Sequence, residues 1–432
     1  MDANPASPLS RRPLGLLALC LAVALGGCVW AAWDMFGPQR RPMLQGWDDS
    51  HYYAWLPSVL IDRDLDFANQ LIGHGTLPAS AEAEVLAQPR TATGLLPNKY
   101  PPGWAFGSLP FFLVAHALAP PDASGYEPVY LMAVWLGQLL YAAGGLWLAV
   151  QILARFFPLR VATVATCASW LASPLLYYQS ARLSLSHSQV FALAMLTLWL
   201  ALRLWDGDQR ARLWLLLGFA SALLVVTRNV AVVYLAWPAW VLVRRLRTAS
   251  AAGWLLAGAA APVLVQVLAW KLLYGSWLVY SYGGEKFDFA QLHLVDVLAS
   301  PRHGWFYWHP LLVGGVVAFA GWAWRRSEGR GWLLSLALIV VLNAAWPTWW
   351  LGSSFGHRGF EVATLFAAVG LATILQACRD RLGLQRAVAS IIAIAIIWNL
   401  ALLALFLTHR IPREGPVTYV EMARALASWP AP

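Results

Sequence analysis

Charge-free apolar runs recur along the chain at residues 14–33, 128–154, 161–179, 187–202, 213–227, 229–243, 252–270, 304–324, 331–346, 360–377 and 387–408. Most are long enough, as helices, to approach or cross a hydrocarbon layer of about 30 Å. Eleven membrane-crossing helices are therefore predicted. A twelfth apolar stretch, 103–119, holds Pro110 and lies between Pro101-Pro102 and Pro120-Pro121. Those prolines mark it as an interfacial or re-entrant element.

The loops between the runs carry a sign pattern. With the N-terminus, Arg11 and Arg12 in the cytoplasm, and 103–119 not counted as a span, every second loop holds an arginine group. These groups are Arg155/Arg160, Arg203/Arg210/Arg212, Arg244/Arg245/Arg247, Arg325/Arg326/Arg330 and Arg379/Arg381/Arg386. Short loops rich in Arg stay on the cytoplasmic side. The same alternation puts the C-terminus outside. The expected architecture is all-α and polytopic, one transmembrane domain over 1–432 with a large first outer loop, 34–127, bearing interfacial helices, and an outer tail, 409–432.

Composition agrees with a membrane protein. Hydrophobic residues make up 59% of the 432 and charged residues 12%, against roughly 25% charged in soluble domains. The 26 tryptophans and 14 tyrosines suit a chain with many membrane–water interfaces. The net charge of +9 is read as orientation charge, not as a nucleic-acid footprint. Cys20, Cys28, Cys167 and Cys378 show no metal-ligand spacing and read as packing residues. Leu25-Gly26-Gly27-Cys28 faintly resembles a lipoprotein cleavage site, but an uncleaved first helix is the expected form. On this map all nine histidines fall on or beside the outer side. The outer face thus holds the residues able to do chemistry.

The first outer loop contains Gly46-Trp47-Asp48-Asp49-Ser50-His51-Tyr52-Tyr53. Tyr52, Trp55, Leu56, Val59 and Leu60 share one helical face, which predicts a helix lying at the interface, with a kink at Pro57. Asp48 and Asp49 fall at its N-terminal end. There they serve either as a helix cap or as a general base or metal ligand. Asp62, Asp64 and Asp66 lack the Gly and Glu of a calcium loop and read as a solvated turn. Further on stands Asn98-Lys99-Tyr100-Pro101-Pro102-Gly103-Trp104. Lys99, one of three lysines, either anchors the turn or holds a lipid phosphate. In Gly352-Ser353-Ser354-Phe355-Gly356-His357-Arg358, the Arg358 guanidinium can clamp a phosphate or pair with Glu361 at i, i+3 spacing. Arg228, Lys271, Lys286 and Arg302 are further outer cations.

An acidic pair just after the first span, an interfacial helix, a Tyr-Pro-Pro turn and a hydrophobic polytopic body resemble the GT-C glycosyltransferases. Within that group the chain resembles the protein O-mannosyltransferases and the lipid A aminoarabinose transferases. The resemblance implies transfer of a hexose or pentose from a polyprenyl-phosphate carrier to an envelope glycan, lipid or protein at the periplasmic face of a bacterial inner membrane. Asp48 and Asp49 match the acidic pair of the first outer loop, with Asp48 favoured as base and Asp49 as partner. A divalent cation, Mg or Mn, is an option at that pair. Lys99 matches a basic residue near the carrier phosphate. Arg182 matches an arginine after the third span, and with Arg358 completes the expected phosphate-binding set. His187 stands where relatives often have an acid, which removes one metal ligand of the pattern. His51, Tyr52, Tyr100, His187 and His357 are expected substrate contacts, and no nucleic acid is expected as a partner.

Two other classes use lipid-linked sugars. A transporter or flippase wants ionisable residues at the bilayer midplane and often inverted repeats. The spans here hold none centrally; Gln138, Gln266 and Asn343 are their main polar interior residues. An O-antigen polymerase or ligase relies on arginines in a later large loop, whereas the largest loop here is the first and bears acids. No Gly-rich phosphate loop or cytoplasmic domain for a nucleotide sugar is present.

Overall fold

A computed structural model describes residues 11–36, 44, 46–74, 77 and 79–428. The N-terminal residues 1–10, part of the first outer loop and the last four residues of the tail lie outside the described set. Among the described residues every regular element is helical, as the repeated apolar runs require.

All eleven runs become helical segments, but not all as single rods. Among the described residues, five helices are long and apolar enough to cross a membrane by themselves: Leu14–Trp33 within the first helix, Pro128–Ala154, His187–Trp205, Ala249–Tyr274 and Leu382–Leu407. Elsewhere the helix is shorter than its run. The run 161–179 forms Leu159–Leu171 and then one turn, Leu175–Tyr178. Pro174 at the junction cannot donate a helical hydrogen bond. The run 304–324 breaks before Pro310 into Trp305–Trp308 and Leu311–Trp324. The run from 229 opens as a 3₁₀ segment, Asn229–Leu235, before Ala236–Arg245. The chain is thus a polytopic, all-α membrane protein whose shorter crossings carry irregular backbone at one end. Irregular backbone at membrane depth is tolerable only where protein or a water-filled cavity satisfies its polar groups.

Glycines set the closest helix approaches. A Cβ at Gly218 would stand 1.9 Å from the Leu255 carbonyl oxygen, and one at Gly258 the same distance from that of Leu215. Helices Ala211–Thr227 and Ala249–Tyr274 therefore touch backbone to backbone. A Cβ at Gly370 would stand 1.6 Å from the Gly315 carbonyl oxygen, locking Ala363–Ala377 onto Leu311–Trp324 in the same way. Between apolar helices in lipid, such contact supplies the packing that a hydrophobic driving force cannot. The helix His187–Trp205 lies at the centre, 78% of its spanning window buried, while Ala249–Tyr274 is peripheral at 22%.

The first outer loop is a folded cap over one end of this bundle. The helix Trp47–Pro57 forms as the spacing predicts, and runs on as a π-helical turn, Ser58–Asp62, at the predicted Pro57 kink. Its surroundings differ from the flat, one-faced expectation, because Asp49 through Ser58 are all buried. Tyr53 donates to the Gly125 carbonyl at 2.5 Å, and the Trp55 indole to the Tyr100 carbonyl at 3.1 Å. The helix is covered by its own loop and by Gly103–Leu118. That last helix fills the 103–119 stretch and packs against both Trp47–Pro57 and Pro128–Ala154. Asp62, Asp64 and Asp66 accept bonds from Asn69, Ser58 and Arg90, as a loop of surface turns would.

The glycine contacts give a direct test. Gly370→Val should destabilise the detergent-purified protein by about 1–3 kcal/mol, the usual cost of overpacking, seen as a lowered thermal midpoint. Gly314→Val, where nothing lies within 4 Å of the added Cβ, should leave the midpoint unchanged.

Candidate functional site

Three outer segments converge above the bundle: the Trp47–Pro57 helix with the Tyr100 turn, the loop that follows Tyr274, and the segment from Thr348 to Arg358. Ser281 Oγ donates to the Lys99 carbonyl at 2.8 Å, and the Asp288 amide to the Ala345 carbonyl at 2.7 Å. The Tyr282 and Phe287 rings stack edgewise on Trp346 at 5.9 and 5.0 Å. Between the segments lies a cavity of about 330 Å³, within the range of small-molecule sites.

Its polar wall is built from cation–carboxylate pairs. Asp48 Oδ2 meets Arg358 Nη2 at 2.9 Å, while Asp48 Oδ1 accepts from the Tyr100 hydroxyl at 2.5 Å. Lys99 pairs with Glu285 and lies 5.6 Å from the ring centres of Tyr100 and Tyr282. Arg228 Nη1 donates to Glu361 Oε1 at 2.8 Å, and Glu361 Oε2 also stands 3.8 Å from His187 Nδ1. Asp48, Lys99, Arg228, Arg358, Tyr52, Tyr100 and His187 all line the cavity. Glu361 sits behind Arg228, 4% exposed.

Adjacent residues on a helix point apart, and the acidic pair shows this. Asp49 is fully buried, where Ser184 Oγ donates to it at 2.8 Å and Arg182 Nη2 at 3.0 Å. Asp49 and Arg182 together pin the Trp47–Pro57 helix to the segment before His187–Trp205. Neither lines the cavity.

The electrostatics of Asp48 follow from its neighbours. Burial alone would raise its pKa. Arg358, the Tyr100 hydroxyl, Lys99 and Arg182 outweigh burial and hold the carboxyl below its ordinary value of 3.8. Arg358 is shifted the opposite way: burial would weaken it, and Asp48 with the surrounding tyrosines keeps it firmly protonated. Tyr100 is pushed up by burial and then by the Asp48 charge, so it acts as a hydrogen-bond donor.

Of the expected site residues, Asp48, Lys99, Arg358, Tyr52, Tyr100 and His187 come together on one wall. Arg182 and Asp49 stand behind it. His51 Nδ1 lies 2.6 Å from the Trp47 carbonyl, its ring stacked on Trp47, and burial lowers it to about 4. His357 accepts from the Gly359 amide at 3.3 Å and burial lowers it to about 3. Both histidines hold local backbone off the cavity. The i, i+3 pairing of Arg358 with Glu361 does not form, because the 3₁₀ turn Arg358–Phe360 sends Glu361 to Arg228. Arg228, Glu285, Glu361 and Tyr282 are the additions from structure. Arg228 had a signal in sequence, as a lone cation at a span boundary.

The donor set does not fit a divalent cation at the acidic pair. Asp48 and Asp49 give their oxygens to different arginines, and the described residues contain no group of three His, Cys, Asp or Glu side chains able to hold a metal. Two divergent carboxylates fall short of the oxygen cage that such ions take.

No protein-family model and no curated protein matches the chain. Among solved structures, ArnT from Cupriavidus metallidurans bound to undecaprenyl phosphate is similar at 16% identity and TM-score 0.52, over 97% of this chain and 74% of that one. An Archaeoglobus fulgidus oligosaccharyltransferase in complex with zinc and sulfate is similar at 14% identity and TM-score 0.52, over 94% of this chain and 54% of that one. This chain thus spans about half the length of the second. The likeness establishes that this chain shares the fold of these two proteins.

The two aspartates should separate experimentally. Asp49→Asn leaves Arg182 without its buried counter-charge and should cost about 3 kcal/mol of stability. Asp48→Asn, at a half-open wall, should cost clearly less. Thermal unfolding of the two variants side by side checks the order; equal losses would contradict the division of roles.

Proposed function

We propose that this protein is a membrane glycosyltransferase that moves one sugar from a polyprenyl-phosphate carrier to a hydroxyl of an envelope glycan, lipid or protein, at the periplasmic face of a bacterial inner membrane. The observation that carries the reading is Asp48, bridged to Arg358 on the wall of a cavity that also presents Lys99 and Arg228. The undecaprenyl phosphate bound by the structurally similar ArnT supports a polyprenyl carrier. The arginine-bearing loops at the other end of the bundle support the orientation.

The carrier's lipid tail stays in the bilayer and its phosphate enters the cavity. Arg358, Lys99 and Arg228 neutralise it, with Arg358 offering a forked pair of donors. A phosphate that takes the Arg358 guanidinium removes it from Asp48. The Asp48 pKa then rises, through lost ion pairing and through the new negative charge nearby. Donor binding thereby turns a weakly basic carboxylate into a better base. Asp48 accepts the proton of the acceptor hydroxyl as its oxygen attacks the anomeric carbon. The carbon–oxygen bond to phosphate breaks, and the electron pair leaves with the polyprenyl phosphate, whose added charge the same cations hold. Inversion at the anomeric carbon follows from such a single displacement. Tyr100 orients Asp48, and the buried Asp49–Arg182 pair holds the helix that carries it. With cations already supplied by side chains, the reaction proceeds without a divalent metal.

The test is transfer by purified protein in nanodiscs, from a panel of radiolabelled polyprenyl-phosphate sugars to an envelope extract. Asp48→Asn should lower transfer by about a hundredfold or more while donor is still retained. Arg358→Gln should weaken donor retention itself. A chelator should leave the rate unchanged. Transfer by Asp48→Asn at the wild-type rate would remove the base assignment.

The charge exchange also predicts a pH signature. The acid limb of kcat/KM reports the free enzyme and that of kcat the donor complex. The free-enzyme carboxyl titrates below 3.8, and donor binding raises it. The acid limb of kcat should therefore lie at higher pH than that of kcat/KM, and coincident limbs would rule out the exchange.

A further inference from the structure

At the opposite end of the bundle lies a second, half-open cavity of about 570 Å³, with Trp214, Arg244, Arg245, Arg247, Ser250 and Trp254 on its wall and no acidic residue among those lining it. The helix Ala249–Tyr274 joins the two ends. Tyr274 donates to the Asn98 carbonyl beside the candidate active site, and 25 residues earlier the same helix starts at this cavity. The separation is about 38 Å along the helix.

The acids of this end are committed elsewhere. Asp208 pairs with Arg203 and Arg210, and Asp206 with Arg155. The three cavity arginines are instead oriented by rings and backbone. Arg244 lies over Trp240 at 4.3 Å and Arg245 over Trp205 at 5.0 Å. Arg247 Nε donates to the Arg244 carbonyl at 3.2 Å, and Arg245 to the Trp205 carbonyl. These contacts hold the guanidinium groups in place without neutralising them. Two helices also begin here, Ala211–Thr227 with no side-chain cap and Ala249–Tyr274, whose Ala251 amide is capped by Thr248, so one open and one capped positive helix end add to the three charges. The Trp214 indole, on a side chain 1% exposed, has no hydrogen-bond partner for its N–H. Three cations with no carboxylate partner among the described residues and an uncapped helix N-terminus all favour one polyanionic acceptor.

The cavity's rim points to where that acceptor comes from. Trp254 is 46% exposed, and its face of the helix continues through exposed Ala261 to Leu268, 46% exposed, at the i+7 and i+14 positions. Acyl chains can lie along this apolar strip while a headgroup phosphate occupies the arginine cavity. We propose that this cavity is a binding site for the phosphate of an anionic phospholipid, separate from the active site and loaded from the opposite leaflet.

Native mass spectrometry of the purified full-length protein tests it, with phosphatidylglycerol and phosphatidylcholine offered at equal amounts. Wild type should retain phosphatidylglycerol preferentially. Arg244→Gln/Arg247→Gln should reduce that retention by about tenfold or more, a loss of about 1.4 kcal/mol or more. Arg325→Gln/Arg326→Gln removes as much charge from a neighbouring loop and should leave retention unchanged. Equal loss in both double variants would mean a diffuse charge effect and overturn the site. No preference in wild type, or full retention in a monodisperse Arg244/Arg247 variant, would overturn it too. A third arm adds inorganic phosphate at millimolar concentration. Retention should persist, because the apolar strip contributes; displacement would mean that the cavity takes soluble phosphate, and would overturn the lipid assignment.

Discussion

The bond on which the site depends joins Asp48 to Arg358. It links residues more than 300 positions apart, and through Tyr100 it brings in a third segment. A carboxylate and a guanidinium withdrawn from water are costly alone. Each makes the other tolerable, and together they tie two distant segments into one cavity wall. The neighbouring Asp49–Arg182 pair does the same work one helix face away. Two consecutive acids can serve two different partners because consecutive helical residues diverge. The Trp47–Pro57 helix is thereby held at both faces, with one carboxylate fixed in the protein interior and the other presented to the cavity.

The remaining pairs extend this logic. Lys99 with Glu285 and Arg228 with Glu361 leave the cavity wall rich in ions yet nearly balanced in charge. A strongly positive, unpaired wall would bind any anion and would repel its own cations. A balanced wall favours a ligand that can exchange with a carboxylate already present. A phosphate does so at Arg358 and Lys99, whose acids, Asp48 and Glu285, are partly exposed. It does so less readily at Arg228, because Glu361 is buried and has nowhere to go. Arg228 is thus a fixed donor, while Arg358 is the partner that can trade. In the proposed reaction the base and the phosphate clamp are coupled through one guanidinium.

Much of this was legible in the sequence where it was local. The apolar runs mark the crossings, and the arginine alternation orders them, because both signals depend on composition within a single segment. Asp48, Lys99 and Tyr100 stood out because a short motif holds each of them. The breaks within runs were less legible: Pro174 and Pro310 interrupt helices whose composition alone reads as continuous. Partners distant in the chain were not legible at all. Glu361 looked like an i, i+3 partner for Arg358, and a single 3₁₀ turn sufficed to redirect it to Arg228. His51 and His357 looked equally available for chemistry, yet one bonds to its own helix and the other caps a turn. Histidine type and outer-face location carry no information about which way the ring points.

The two ends of the bundle show why counting charges falls short of reading them. Both ends are rich in arginine. At the candidate active-site end, Arg182, Arg228 and Arg358 each meet a carboxylate, so the paired cations shape the cavity wall and the segment behind it. At the other end, Arg244, Arg245 and Arg247 meet rings and carbonyls, so their charge stays whole and faces the membrane surface. A topology rule sees only that the second set is more numerous per loop. The physical difference is compensation: paired guanidinium groups select a ligand through what it must displace, and unpaired ones attract whatever anion the adjoining surface offers. The same residue type therefore supports a discriminating site at one end of a helix and an electrostatic anchor at the other, with the acids around it deciding which.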